Sequence, residues 1–330
     1  MARAPRLVHL FNPIARWALG TGLPAGPDGL LTVRGRKTGL PRTVPVAVVE
    51  VDGRRWVIGA YGEVDWVRNL RAAREGVIKL GRRSDHVSAM ELDHDQSVAF
   101  FRDVLNPYVN RQPRFLRSFV TMLLHDVGDP VKAAGRYPVF ELHPRPELPP
   151  GLPVPKDDGA AAHLPGMQMP DIQLPATDGS LVSLARIGPQ RTVIYAYPRT
   201  GRPGEPELTP DWDRIPGARG CTPESCAFRD HHQELRAAGA ELFGLSTQDT
   251  DYQRETANRL HLPFPLLSDK NLALTRALKL PIFKVADQTL NKRLTCVVRD
   301  GRIEHVWYPV FPPDKHADEV IGWLKANPAG

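Results

Sequence analysis

Cysteine is scarce in this chain: three occur in 330 residues, at positions 221, 226 and 296, and none comes earlier. So few thiols argue against a structural disulfide framework. A close pair in a chain without a secretory signal points to redox or metal chemistry instead. Long apolar runs are missing too, and no stretch approaches the ~20 residues that carry a helix across a bilayer. The opening MARAPRLVHLFNPIARWALG is basic. Pro13 and Arg16 break it short of the roughly 7–15 uninterrupted apolar residues of an export signal, so a cytoplasmic location is expected. Acidic residues run short only in the first half. Residues 1–143 hold 21 Lys and Arg against 14 Asp and Glu, a net of +7, while residues 144–330 hold 22 against 23, a net of −1. That excess suits an anionic partner, or an arginine-rich surface with no ligand. No nucleic-acid partner is expected.

The length exceeds that of one hydrophobic core, which predicts two domains. Residues 144–164 are dense in proline and follow neither hydrophobic period, as a semi-extended linker would. Before it, LLTVRG at 30–35, TVPVAVVEV at 43–51 and WVIGAY at 56–61 are β-branched runs parted by turn residues, with Asp52-Gly53 as a hairpin turn. VDWVRNLRAAR at 64–74 has helical spacing. Strands near 76–81 and 85–92, a helix at about 95–106 and a strand at 138–142 complete a small β-barrel over 1–143. After the linker, strands at 192–197, 240–247, 294–298 and 302–308 alternate with helical segments. Residues 165–330 therefore read as an α/β sheet with helices on both faces.

The informative stretch is PGARGCTPESCAFRD, residues 216–230. Helical pattern begins right after Cys221, so this thiol is expected in a first turn, where unpaired N–H groups and the dipole favour the thiolate. Cys226 follows five residues later. In an intact helix the two Cα atoms stand roughly 8–9 Å apart, beyond the ~7 Å limit for a disulfide, so pairing requires the helix start to unwind. Two unrelated buried cysteines are one alternative. A zinc site with His231 and His232 is another, although its spacing fits no common pattern. The C-x-x-C of dithiol oxidoreductases is absent. Cys296, in LTCVV, reads as core packing.

GCTPESCAFRD resembles the peroxiredoxins, specifically the bacterioferritin-comigratory type. The likeness runs from about Leu164 to Ala329 and includes PGMQMPDIQLPATDGSLVSL, the Tyr197-Pro198 pair, LPFPLLSD and the Arg293 of KRLTCVV. The resemblance implies a thioredoxin fold needing no cofactor. It also implies a peroxidatic Cys221, a resolving Cys226 and an Arg293 that stabilises thiolate and peroxide. Peroxides and a thioredoxin-like dithiol reductant follow as partners. The family's hydroxyl three residues before the cysteine is Ala218 here. An insertion, TGRPGEPELTPDWDRIPGA, separates Pro198 from Cys221, and Thr200 is expected to supply the missing hydroxyl.

In the first half, GRKTGLPR at 35–42 joins two strands and carries Arg36, Lys37, Thr38 and Arg42, donors suited to a phosphate. The Walker spacing is missing. With the Ala60-Tyr61-Gly62 turn and WVRNLRAA, this loop resembles the deazaflavin-dependent nitroreductase and quinone reductase family over about residues 7–143. The resemblance implies an α+β split β-barrel followed by the α/β thioredoxin-fold domain. It further implies that the loop holds the phosphate of coenzyme F-420, a deazaflavin, with Ala60, Trp66 and Asn69 near the ring. A non-catalytic module that binds a ligand or localises a peroxidase is the alternative. Leu7, Leu10, Phe11, Ile14 and Trp17 form a helical stripe. Such a stripe packs on its own domain in one reading, and touches a membrane surface weakly through residues 6–19 in the other.

Overall fold

The computed structural model describes residues 28–188 and 190–328. The chain divides into two compact units at the Arg145–Pro146 bond.

In the first unit, six strands close into a barrel. They are β1 (Asp28–Arg34), β2 (Pro41–Val51), β3 (Arg54–Ile58), β4 (Glu75–Leu80), β5 (Arg83–Glu91) and β6 (Val139–Pro144), in the order β1-β2-β3-β6-β5-β4. Asp52 and Gly53 both take positive φ, 50° and 76°. That two-residue geometry matches the twist of the flanking strands. Alternate strand residues, among them Val46, Val48, Val57, Ile78 and Phe140, cluster with Val67 and Leu70 of α1 (Asp65–Ala73). The other face of the same strands, through Val49, Trp56, Ile58 and Val139, packs against Phe100, Phe101 and Leu105. These belong to a helical run made of α2 (His94–Ala99), a π-helical turn (Phe100–Leu105) and α3 (Asn106–Arg111). Two further helices, α4 (Arg114–Leu123) and α5 (Pro130–Arg136), follow.

The second unit opens with a small hairpin, β7 (Gln173–Pro175) and β8 (Leu181–Ser183). Its main sheet has the order β11-β10-β9-β14-β15, from β9 (Arg191–Ala196), β10 (Ala240–Ser246), β11 (Leu266–Ser268), β14 (Leu294–Arg299) and β15 (Arg302–Trp307). A hairpin of β12 (Ile282–Val285) and β13 (Gln288–Asn291) stands apart from it. The helices are α6 (Cys221–Asp230), α7 (His232–Ala237), α8 (Thr250–Arg259), α9 (Ala273–Leu278) and α10 (His316–Ala326). Every residue of β9 is buried, because its two faces serve two cores. Val193 and Tyr195 pack with Phe228 and Leu235 and with α10, whereas Ile194 and Ala196 pack with Leu274 and Leu278 of α9. This is the thioredoxin-fold arrangement that the resemblance implied.

The proline-rich segment is extended, but it lies against the second unit. Ala161 and Leu164 join one core, and His163 Nε2 meets the Leu278 carbonyl at 2.9 Å. Asp158 accepts from the Tyr308 hydroxyl at 2.7 Å and from Lys292 Nζ at 2.5 Å. Those partners lie 115 to 150 residues further along, out of reach of any local pattern. Among the described residues, no helix is long and apolar enough to cross a membrane. The stripe at 6–19 lies outside the described residues.

Candidate active site

Antiparallel pairing sets Leu294 of β14 opposite Ala196, the last residue of β9. The loop that leaves β9 and the residue that precedes β14 therefore meet at one end of the sheet. That residue is Arg293. The chain after β9 runs through the insertion and enters α6 at Cys221. Gly220 caps this helix with φ 112°, and a Cβ there would come within 2.5 Å of Pro313 and 3.0 Å of Leu148. Only glycine meets both demands.

Cys221 Sγ accepts from Arg293 Nη2 at 3.2 Å and points its own hydrogen toward the Ala218 carbonyl at 3.6 Å. Arg293 also pairs with Glu224, one turn along α6. The carbonyls of Gly217 and Arg219 face the same Nη2 at 3.3 and 3.4 Å. Cys221 is 3% exposed, Arg293 2% and Glu224 0%. Burial pushes the Cys221 thiol above its ordinary value, and Arg293 and the Arg199 backbone N–H pull it back. The expectation of a lowered thiol is corrected accordingly: desolvation by the surrounding loops opposes the anion more strongly than these donors favour it. Burial also pushes the Glu224 carboxyl up to about 7, against the pull of Arg293. Its Oε1 finds no hydrogen-bond partner among the described residues.

Cys226 is buried in the same helix, its thiol pushed up to about 11 by burial. The helix is unbroken from Cys221 to Asp230 and both thiols are free. Cys296 belongs to the core on the opposite face of the sheet, where burial raises its thiol to about 12.

The structure brings Cys221 and Arg293 together, keeps Cys226 five residues along the same helix, and seats Thr200 elsewhere. The Thr200 hydroxyl lies 2.9 Å from that of Thr256 and 3.3 Å from Gln248 Oε1. Among the described residues it makes no hydrogen bond to Cys221. The Pro198 carbonyl accepts from Ser246 Oγ at 3.1 Å. Two site residues escaped the sequence reading. Glu224 carried a usable signal, an acid three residues past the cysteine. Arg199 carried none, since its role comes from a backbone N–H. A pocket of about 270 Å³ opens onto Cys221, with Arg199, Trp212 and Leu148 in its walls. Among the described residues, no group of three or more His, Cys, Asp or Glu could hold a metal ion.

In the first unit the basic loop is pinned by its first arginine. Arg36 Nη1 donates to Asn69 Oδ1 at 2.8 Å and Nη2 to Asp65 Oδ1 at 3.0 Å, while the Arg36 backbone N–H reaches the same Asn69 oxygen at 3.2 Å. Lys37, Thr38 and Arg42 stand exposed. Ala60 is half-buried, and so is Trp66, whose ring centroid lies 6.3 Å from that of Phe140.

Residues 164–321 match the family model described as Redoxin, and residues 11–123 match that of the F420H2-dependent quinone reductases. Peroxiredoxin Q, chloroplastic, of Gentiana triflora is 31% identical over 162 residues, 49% of this chain and 66% of that protein. The corresponding protein of Sedum lineare is 30% identical over 178 residues, 54% of this chain and 86% of that one. A solved structure titled as the peroxidoxin BcpB of Mycobacterium tuberculosis is 26% identical and aligns with a TM-score of 0.42, covering 51% of this chain and all of that one.

Proposed function

The second half of this chain belongs to the Q-type peroxiredoxins, and from that premise we propose that it is a thiol-dependent peroxidase acting through Cys221. The Cys221 thiolate attacks the distal oxygen of a peroxide, the O–O bond breaks, and the departing alkoxide or hydroxide takes up a proton. Cys221 is left as a sulfenic acid. After the first turns of α6 unwind, the Cys226 thiol displaces water from it and a disulfide forms. A thioredoxin-like dithiol then reduces the disulfide by exchange and is itself oxidised. The observation that carries this reading is Arg293 Nη2 at 3.2 Å from Cys221 Sγ. A fixed, charged donor there favours the thiolate and can orient peroxide oxygens. Cys221→Ser should abolish peroxide consumption. Cys226→Ser should let a sulfenic acid accumulate on Cys221, trappable with dimedone. If the Cys221→Ser protein consumes peroxide at the wild-type rate, the reading is wrong.

The first half acts as a reductase that uses coenzyme F-420, a hydride carrier. Lys37, Thr38 and Arg42 are the donors available to its phosphate, and Arg36 holds their loop to α1 through Asn69 and Asp65. The first 220 residues contain no cysteine. Because disulfides open by thiolate attack, an external dithiol is required to recycle Cys221 and Cys226.

A further inference from the structure

Residues 146–149 lie ahead of the stretch that matches the Redoxin family, which begins at 164, yet they form one wall of the Cys221 pocket. We propose that Leu148 sets the size selectivity of the peroxidase site, admitting hydrogen peroxide freely and hindering hydroperoxides with a bulky organic group. The inference rests on Cys221 being the peroxide-reactive thiol and adds which peroxides it accepts.

Three observations carry it. Leu148 Cδ2 would stand only 3.0 Å from a Cβ built on Gly220, the residue that immediately precedes Cys221, so this side chain covers the start of α6. Cys221 is 3% exposed and lines the pocket of about 270 Å³ that Leu148 helps to wall. The wall is also held in place. Prolines at 146, 149, 150, 153 and 155 fix its φ angles, and Asp158 anchors its far end to Lys292 and Tyr308. Of the pocket's charged groups, Arg199, Glu207 and Arg219 face it from the far wall, and Glu147 stands beside Leu148 on the near one.

The chemistry gives the direction of the effect. The distal oxygen must meet Sγ near Arg293, so the organic group of a hydroperoxide projects outward along the pocket. There it meets Leu148. Hydrogen peroxide has no such group and is indifferent to the wall. Leu148 touches no reacting atom and acts only on what can approach.

The test compares kcat/KM for hydrogen peroxide and for cumene hydroperoxide, in the full chain with dithiothreitol as reductant. Leu148→Ala should raise the cumene-to-hydrogen-peroxide ratio by roughly tenfold, the scale of a methylene or two in an apolar pocket. Leu148→Trp should lower that ratio. A ratio unchanged in both variants, or moved in the opposite directions, overturns the proposal. A wild-type chain that consumes neither peroxide overturns the reading of Cys221 itself, and the selectivity with it.

Discussion

Between Cys221 and Glu224 stands a single guanidinium, Arg293, which donates to both. Below about pH 7 the Glu224 carboxyl is neutral, and the charge of Arg293 serves the thiolate alone. Above it the carboxylate competes for that charge and opposes ionisation of Cys221. Glu224→Gln removes the competing charge at every pH. The Cys221 thiolate should then titrate at lower pH than in wild type, read from the pH dependence of iodoacetamide alkylation. A titration at the same or higher pH would contradict this account of the trio. Stability should follow the same group. Its folded value exceeds the ordinary 4.5, so its contribution is complete below that pH and is lost as pH rises through 7. The Gln variant should lack that slope in urea denaturation. The cysteines and Arg293 were legible because motif and resemblance name them. Burial, which decides the thiol's direction, was not, since loops distant in sequence create it.

In the proposed cycle, helix α6 has to be firm enough to present Cys221 and loose enough at its start to unwind toward Cys226. Gly220 governs that start. Gly220→Ala places a Cβ against Pro313 at a φ of 112°, strain of roughly 1–3 kcal/mol before any clash. A melting temperature several degrees lower, read by circular dichroism, is the expected outcome, and an unchanged one would mean that the loop yields freely. Periodicity located the elements well where one pattern ruled. The strands β9 and β14 were expected within a residue of where they fall, and those of the β2–β3 hairpin within three. The β12–β13 hairpin was missed, because Phe283 and Val285 pack not on the main sheet but against Trp212 and Ala218 of the insertion. Residues 144–164 were expected as a linker because proline hides the partners that hold them.

At the scale of the whole molecule, the proposed binding of coenzyme F-420 gives the charge asymmetry of the first half a use. Lys37 and Arg42 are the exposed cations of the pinned loop, and charge-assisted hydrogen bonds contribute about 1.5–3 kcal/mol each. Lys37→Ala with Arg42→Ala should weaken binding of coenzyme F-420 accordingly in isothermal titration, and equal affinity in mutant and wild type would reject the phosphate-loop assignment. The second half carries the central claim, that Cys221 and Cys226 form a peroxide-driven pair while Cys296 stays out of the chemistry. The direct measurement is a thiol count under denaturing conditions, after the reduced chain has met one equivalent of hydrogen peroxide. The account predicts that two of the three thiols disappear and that Cys296 alone remains titratable. Three thiols surviving with the peroxide unconsumed, or the loss of Cys296 in place of Cys221, would contradict it.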